Sequence, residues 1–230
     1  MSDDQPVPDL VVLDVNETLS DLAPLRDAFV GAGLAAAEVD PWFAGVLRDG
    51  FALTVAGENP VFADVAADGL RARGLGDTEV QQVLAGFGSL PLHRDVEPGL
   101  RGLRGLGVRV VTLSNGAAAV AEQILTAAGV RHLVDEVLSV ADAPAWKPHA
   151  DAYAWALARY DVAPERALMV AVHPWDLDGA ARAGLATAWI DRTGAAAYPR
   201  SLRGPDRVVG SLAALAGDLA ADRAAAERRF

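Results

Sequence analysis

The chain has 230 residues, enough for one sizeable domain or for a core domain that carries a smaller insertion. Its hydrophobic fraction of 52% fills a globular core and excludes a disordered chain. Acidic residues outnumber basic ones 31 to 20, and the net charge of -11 argues against nucleic acid or an anionic membrane surface as partners; the lack of cysteine excludes disulfides, thiolate metal sites and cysteine nucleophiles.

Taken in chain order, residues 10–13 form a short, β-branched apolar run that ends in Asp14, which predicts a buried strand delivering a carboxylate at its C-terminal end. From Leu19 to about Asp95 no buried strand is readable. Helical periodicity recurs there over residues 24–32, 41–56, 60–74 and 77–86. A stretch of roughly 75 residues is too long for a loop. It predicts a helical cap domain, residues 19–95, inserted into a core domain of residues 1–18 and 96–230. Strands are predicted next at 108–113, ending at Ser114, then at 136–140, 167–172 and 186–190. Helices are predicted between them at 117–128, 150–160 and 177–183, with a terminal amphipathic helix at 212–229. Gly107, Gly129 and Gly184 stand where helix C-caps belong. This alternation predicts an α/β fold: a Rossmann-like, doubly wound parallel sheet, with ligands binding outside the carboxyl ends of the strands.

Polar residues fall at those strand ends. Asp14 heads the sequence Asp14-Val15-Asn16-Glu17-Thr18; a carboxylate there is exposed to a ligand and can act as a nucleophile, although a lone Asp more often caps a turn. Ser114-Asn115-Gly116 opens a helix and offers a hydroxyl, an amide and backbone N–H groups to an anion; a plain N-cap is the alternative. Lys147 precedes Pro148, a residue that begins helices well, and a lone lysine there is ordinarily a solvated charge. His173-Pro174-Trp175-Asp176 ends the fourth strand, with Asp176 at the next helix N-terminus.

The order Asp14…Thr18, Ser114, Lys147, Asp176 resembles the four motifs of the haloacid dehalogenase superfamily and spans nearly the whole chain. Within it the sequence is most similar to the L-2-haloacid dehalogenase (type II) branch. The carrying matches are Leu113-Ser114-Asn115-Gly116, Lys147-Pro148 with Tyr153 six residues past the lysine, Trp175-Asp176, and the run Trp189-Ile190-Asp191-Arg192-Thr193-Gly194. The resemblance implies Asp14 as covalent nucleophile, Lys147 holding it ionised, Thr18 and Ser114 as hydrogen-bond donors, and Asp176 anchoring Lys147 and helping to activate water. It also implies a homodimer and a small anionic organic substrate contacted by Asn115, Tyr153 and Trp175, with Asn16 a further candidate contact standing where the branch usually has an aromatic.

Superfamily phosphatases carry an acid two residues after the nucleophile and an acidic pair that holds magnesium. Here those positions are Asn16 and Val172, and Asp178 would point about 200° away from Asp176 on a helix of 3.6 residues per turn. The expected reaction is therefore metal-independent dehalogenation of a short 2-haloacid, with no cofactor. A magnesium-dependent phosphatase or other small-molecule hydrolase of the superfamily, or a non-catalytic binding protein of the same fold, is the alternative. Ala171 and His173 replace the Ser and Asn of the branch, and His173 is a candidate base for the hydrolytic water. Phe43 stands after Trp42 where the branch has its carboxylate-clamping Arg, leaving Arg48 as the nearest candidate. MSDDQPVPDL has no basic stretch followed by a long apolar run, and no segment reaches the ~18 apolar residues of a membrane span, so a cytoplasmic location is expected.

Overall fold

A computed structural model describes residues 7–228. Among them, six parallel strands form one sheet in the order β3-β2-β1-β4-β5-β6: β1 Leu10–Leu13, β2 Arg109–Ser114, β3 Glu136–Ser139, β4 Ala167–Ala171, β5 Ala186–Ile190 and β6 Arg207–Val209. Five of these were predicted, within two residues at either end. Helices connect most of the strands, α6 Ala118–Ala127 between β2 and β3, α7 Ala150–Ala158 between β3 and β4 and α8 Pro174–Arg182 between β4 and β5, whereas β6 follows β5 without an intervening helix and leads into α9 Leu212–Glu227. Gly107, Gly129 and Gly184 all adopt a positive φ, as the predicted helix ends require.

The central strand shows why the fold is double-layered. Every residue of β1 is buried, and successive side chains face opposite ways. Val11 and Leu13 join a cluster completed by Val96, Leu100 and Leu103 of α5 (Val96–Gly105) and by Leu212 and Leu215 of α9. Leu10 and Val12 join another, with Tyr153 of α7 and Leu177 and Ala180 of α8. Each such side chain contributes about 1.5–3 kcal/mol by leaving water.

Between β1 and α5 run α1 Leu25–Gly31, α2 Val39–Val55, α3 Phe62–Arg71 and α4 Asp77–Ala85, in the four places where helical periodicity was read. They have an apolar cluster of their own around the fully buried Trp42, with Phe29, Phe43, Val80 and Phe87. Trp146 of the core region donates its indole N–H to the Pro60 carbonyl and stacks on Phe62, which fixes these helices against the sheet end. No helix among the described residues is long and apolar enough to cross a membrane. The last predicted residue of the terminal helix, Arg229, and the N-terminal residues 1–6 lie outside the described residues.

Candidate active site

The chain reverses direction across the sheet between β1 and β4, and in such sheets a crevice forms where the strand order reverses. Asp14 is the first residue past β1; its backbone N–H bonds to the Val170 carbonyl of β4 at 3.0 Å, so the carboxylate is carried by the centre of the sheet. Only 4% of Asp14 is exposed. Its Oδ2 accepts a 2.6 Å hydrogen bond from the Thr18 hydroxyl, which accepts in turn from the Val172 N–H at 3.1 Å. That second bond fixes the hydroxyl as a donor toward Asp14.

Lys147 is completely buried. Its ammonium lies 3.0 Å from Asp14 Oδ1 and 2.6 Å from Asp176 Oδ2. A buried charge needs such partners, because desolvation costs several kcal/mol. The lysine backbone is held by Asn115, whose amide donates to the Lys147 carbonyl at 3.1 Å and accepts from its N–H at 3.0 Å. Helix α7 begins at Ala150 rather than at Pro148, with the His149 ring accepting from the Asp151 N–H. Tyr153 closes the chain of contacts by donating 2.6 Å to Asp176 Oδ1. Burial opposes the charge on Asp14, but the Lys147 ammonium, the His173 ring and the Thr18 hydroxyl together hold its carboxyl below the usual range. Burial pushes Asp176 up, and the Asp14 charge adds to it, so the deeper carboxylate is the more easily protonated.

His173 caps the start of α8 and stacks on Trp175 with ring centroids 5.2 Å apart. Its Nε2 is 3.2 Å from the Asn16 carbonyl, 3.7 Å from Asp14 Oδ2 and 3.5 Å from Glu17 Oε2. A carbonyl only accepts, so Nε2 carries a hydrogen in this arrangement. The nitrogen that faces Asp14 is therefore a donor, and it has no free lone pair with which to take a proton from water.

On the other side of the Asp14 turn lies a cavity of about 110 Å³ between the helical insertion and the core. Val15, Asn16, Phe62, Phe87, Ser114 and Asn115 contribute to its lining, and no lining side chain is charged. Three expected substrate contacts are placed differently. Arg48 is on the solvent side of α2, with 75% of its side chain exposed and its guanidinium paired with Asp49. Tyr153 is buried and spent on Asp176. The Asn115 side chain reaches the cavity lining, but its amide is spent on Lys147. Ser114 lines the cavity, although its hydroxyl accepts from the Gly116 N–H at 2.9 Å rather than bonding Asp14. Trp175 stands between His173 and Phe51.

The oxygen donors that magnesium requires are not assembled around Asp14. Asn16 offers its carbonyl to His173, Val172 has no donor side chain, and Asp178 turns away to Arg182 and the Arg203 N–H. Among the described residues no group of three or more His, Asp or Glu side chains is placed to hold a metal ion. Two contributors were not singled out from sequence. Arg192 spans from Asp95 to the Thr18 carbonyl, 2.6 Å to each, and so braces the turn after Asp14. Glu17 stands in that turn beside His173. Its only signal in the sequence was its place inside the first motif.

Residues 8–184, about three quarters of the chain, match the haloacid dehalogenase-like hydrolase family. The chain is 35% identical over 100 residues to haloacetate dehalogenase H-2 of Moraxella sp. (strain B), covering 44% of this chain and 45% of that protein. It is 30% identical over 118 residues to an (S)-2-haloacid dehalogenase of Pseudomonas fluorescens, covering 51% and 52%. The chain thus spans about half the length of the curated relatives it matches. A solved L-2-haloacid dehalogenase superimposes with a TM-score of 0.84 at 26% identity, over 92% of this chain and 98% of that one. With the Asp14, Ser114, Lys147 and Asp176 stations gathered at one sheet end and a family match over most of its length, the chain belongs to the haloacid dehalogenase-like hydrolases.

Proposed function

We propose that the protein is a hydrolytic dehalogenase of short 2-haloacids that works without a metal. One observation carries the reading: a buried carboxylate held ionised by Lys147 stands next to a small, apolar, uncharged cavity. Asp14 attacks the carbon that bears the halogen, the carbon–halogen bond breaks, and halide leaves an Asp14 ester behind. Water then adds to the Asp14 side-chain carbonyl, and the ester C–O bond breaks to release the hydroxy acid. A transferring phosphoryl group would need cations around its oxygens. Here the Lys147 ammonium is already divided between two carboxylates, so a substrate with little charge at its reacting centre fits better. The dehalogenase names of the relatives support the same reading. The substrate carboxylate falls to neutral donors, Ser114, Asn16 and the N–H groups opening α6, in place of Arg48. We read residues 19–95 as the cap over this site. Homodimeric assembly follows from the family resemblance and a cytoplasmic location from composition.

The test is halide release from 2-chloropropionate beside phosphate release from a generic aryl phosphate, each with and without chelator. The expected outcome is halide release indifferent to chelation. Phosphate release that chelation abolishes and added magnesium restores would overturn the reading.

A further inference from the structure

Hydrolysis of an Asp14 ester needs a group that takes a proton from water, and the two groups suggested by sequence are occupied. His173 Nε2 carries a hydrogen that it gives to the Asn16 carbonyl, so it has no lone pair for a water proton. Asp176 has one oxygen on Lys147 and the other on Tyr153, and it is sealed from solvent. Glu17 differs on each count. Its Oε2 faces the same His173 nitrogen that faces Asp14 Oδ2, so a water between the two carboxyl groups lies within reach of both. Its side chain makes no hydrogen bond among the described residues, and its Oε2 stands 3.5 Å from His173 Nε2. It lines a polar cleft of about 380 Å³ on the side of the turn away from the apolar cavity, with Val172, His93 and Arg192. Its backbone has φ +62°, a left-handed conformation that a side-chain-bearing residue adopts at a cost in strain, and that geometry sets the direction of the side chain.

We propose that Glu17 is the general base of the hydrolytic half-reaction, acting from its place beside the His173 ring. This rests on the dehalogenase reading above. Water enters from the polar cleft, its oxygen bonds to the Asp14 carbonyl carbon, and one of its protons passes to Glu17. Collapse breaks the ester C–O bond; Glu17 returns its proton to the departing alkoxide, giving the hydroxy acid. The second water proton, left on the Asp14 carboxyl, leaves through Glu17 to the cleft. One halide and one proton are released per turnover. The groups facing Glu17 are His173, Asp14, Asp40 and Arg26, with the His93 ring on its backbone carbonyl; burial first, then the Asp40 charge, raise its proton affinity against the pull of His173 and Arg26, and Asp14 adds to this only in the free enzyme, where it is not esterified. A carboxylate so placed is a better base than a free one.

The experiment is rapid-mixing halide release from 2-chloropropionate by the full chain and by Glu17→Gln, which keeps the size of the side chain while removing its basicity. Glu17→Gln should release about one equivalent of halide per site at the wild-type rate, then stall, with steady-state turnover about a hundred- to ten-thousand-fold lower. Mass spectrometry should find the ester on the Asp14 peptide. Glu17→Gly, which relaxes the left-handed turn and therefore folds readily, should stall in the same way and regain part of its turnover with added acetate. Glu17→Gln turning over within a few-fold of wild type, or losing the burst as well, overturns the role of Glu17 while leaving the dehalogenase reading intact. A wild type that releases no halide overturns both.

Discussion

Asp14 and Glu17 are three residues apart and titrate in opposite directions. Burial disfavours the charge on both, but at Asp14 the Lys147 ammonium, His173 and Thr18 outweigh it. At Glu17 burial is reinforced by the negative charges of Asp14 and Asp40, and the opposing pull of His173 and Arg26 does not cancel it. Lowering the pH should therefore separate the two half-reactions. Turnover should fail first, as Glu17 takes up a proton above its ordinary value of 4.5. The halide burst should survive until the pH drops below 3.8, the ordinary value for Asp14. Burst amplitude and steady-state rate measured across pH 3 to 8 on the same enzyme check this; superimposed acid limbs would contradict it. The stability signs follow the same shifts: Asp14 stabilises the fold above its unfolded-state value and loses that contribution as the pH falls through its folded value, while Glu17 and Asp176 act in the opposite sense. Asp14 and Ser114 were legible in the sequence because a strand end fixes where its polar residue goes, whereas Lys147, eight residues past β3, and Asp176, in the first turn of α8, were legible through the order of the family motifs. Glu17 was not, because its direction depends on a left-handed turn that sequence gives no reason to expect of a glutamate. Arg48 was misassigned although the pattern held the answer. Val39, Trp42, Phe43, Val46 and Gly50 mark the buried face of α2, and Arg48, nine residues past Val39, is about 180° round from it.

Helix α5 is the element that sequence periodicity missed. Val96, Leu100 and Leu103 have helical spacing and are buried, but Gly99, Gly102 and Gly105 depress helix propensity and mask the signal. Two of those glycines exist for packing, since α5 and α9 approach closely. A Cβ on Gly99 would lie 2.6 Å from a Leu212 side-chain atom and 2.8 Å from its backbone carbon, and one on Gly102 would lie 2.7 Å from the Ala216 Cβ. At Gly105 a Cβ meets nothing within 4 Å. Replacing Gly by Ala inside a helix gains up to about 1 kcal/mol from propensity, and overpacking costs about 1–3 kcal/mol. Gly99→Ala should therefore destabilise the protein and Gly105→Ala should stabilise it slightly, as read from the midpoints of urea unfolding. Equal shifts of the same sign would show that the α5–α9 contact is looser than the structure indicates. Strand β6 escaped prediction for a simpler reason: three residues, Arg207–Val209, carry too little pattern to read.

At the scale of the whole molecule, the turn after Asp14 divides two openings. Val15 and Asn16 face the apolar cavity under the helical insertion, and Glu17 faces the polar cleft. Trp146, bonded to Pro60 and stacked on Phe62, joins insertion to core at the cavity side. Arg192, bonded to Asp95 and to the Thr18 carbonyl, braces the cleft side, and Asp95 also receives the Leu212 N–H at the start of α9. In the proposed reaction the haloacid enters from the apolar cavity and water from the polar cleft. The direct test is a single turnover of 2-chloropropionate in heavy-oxygen water, with enzyme in excess over substrate. If Asp14 forms the ester and water attacks its side-chain carbonyl, the heavy oxygen appears in the Asp14 carboxylate and the first equivalent of product carries none. Heavy oxygen in that first product, with none in the protein, would contradict Asp14 as the nucleophile.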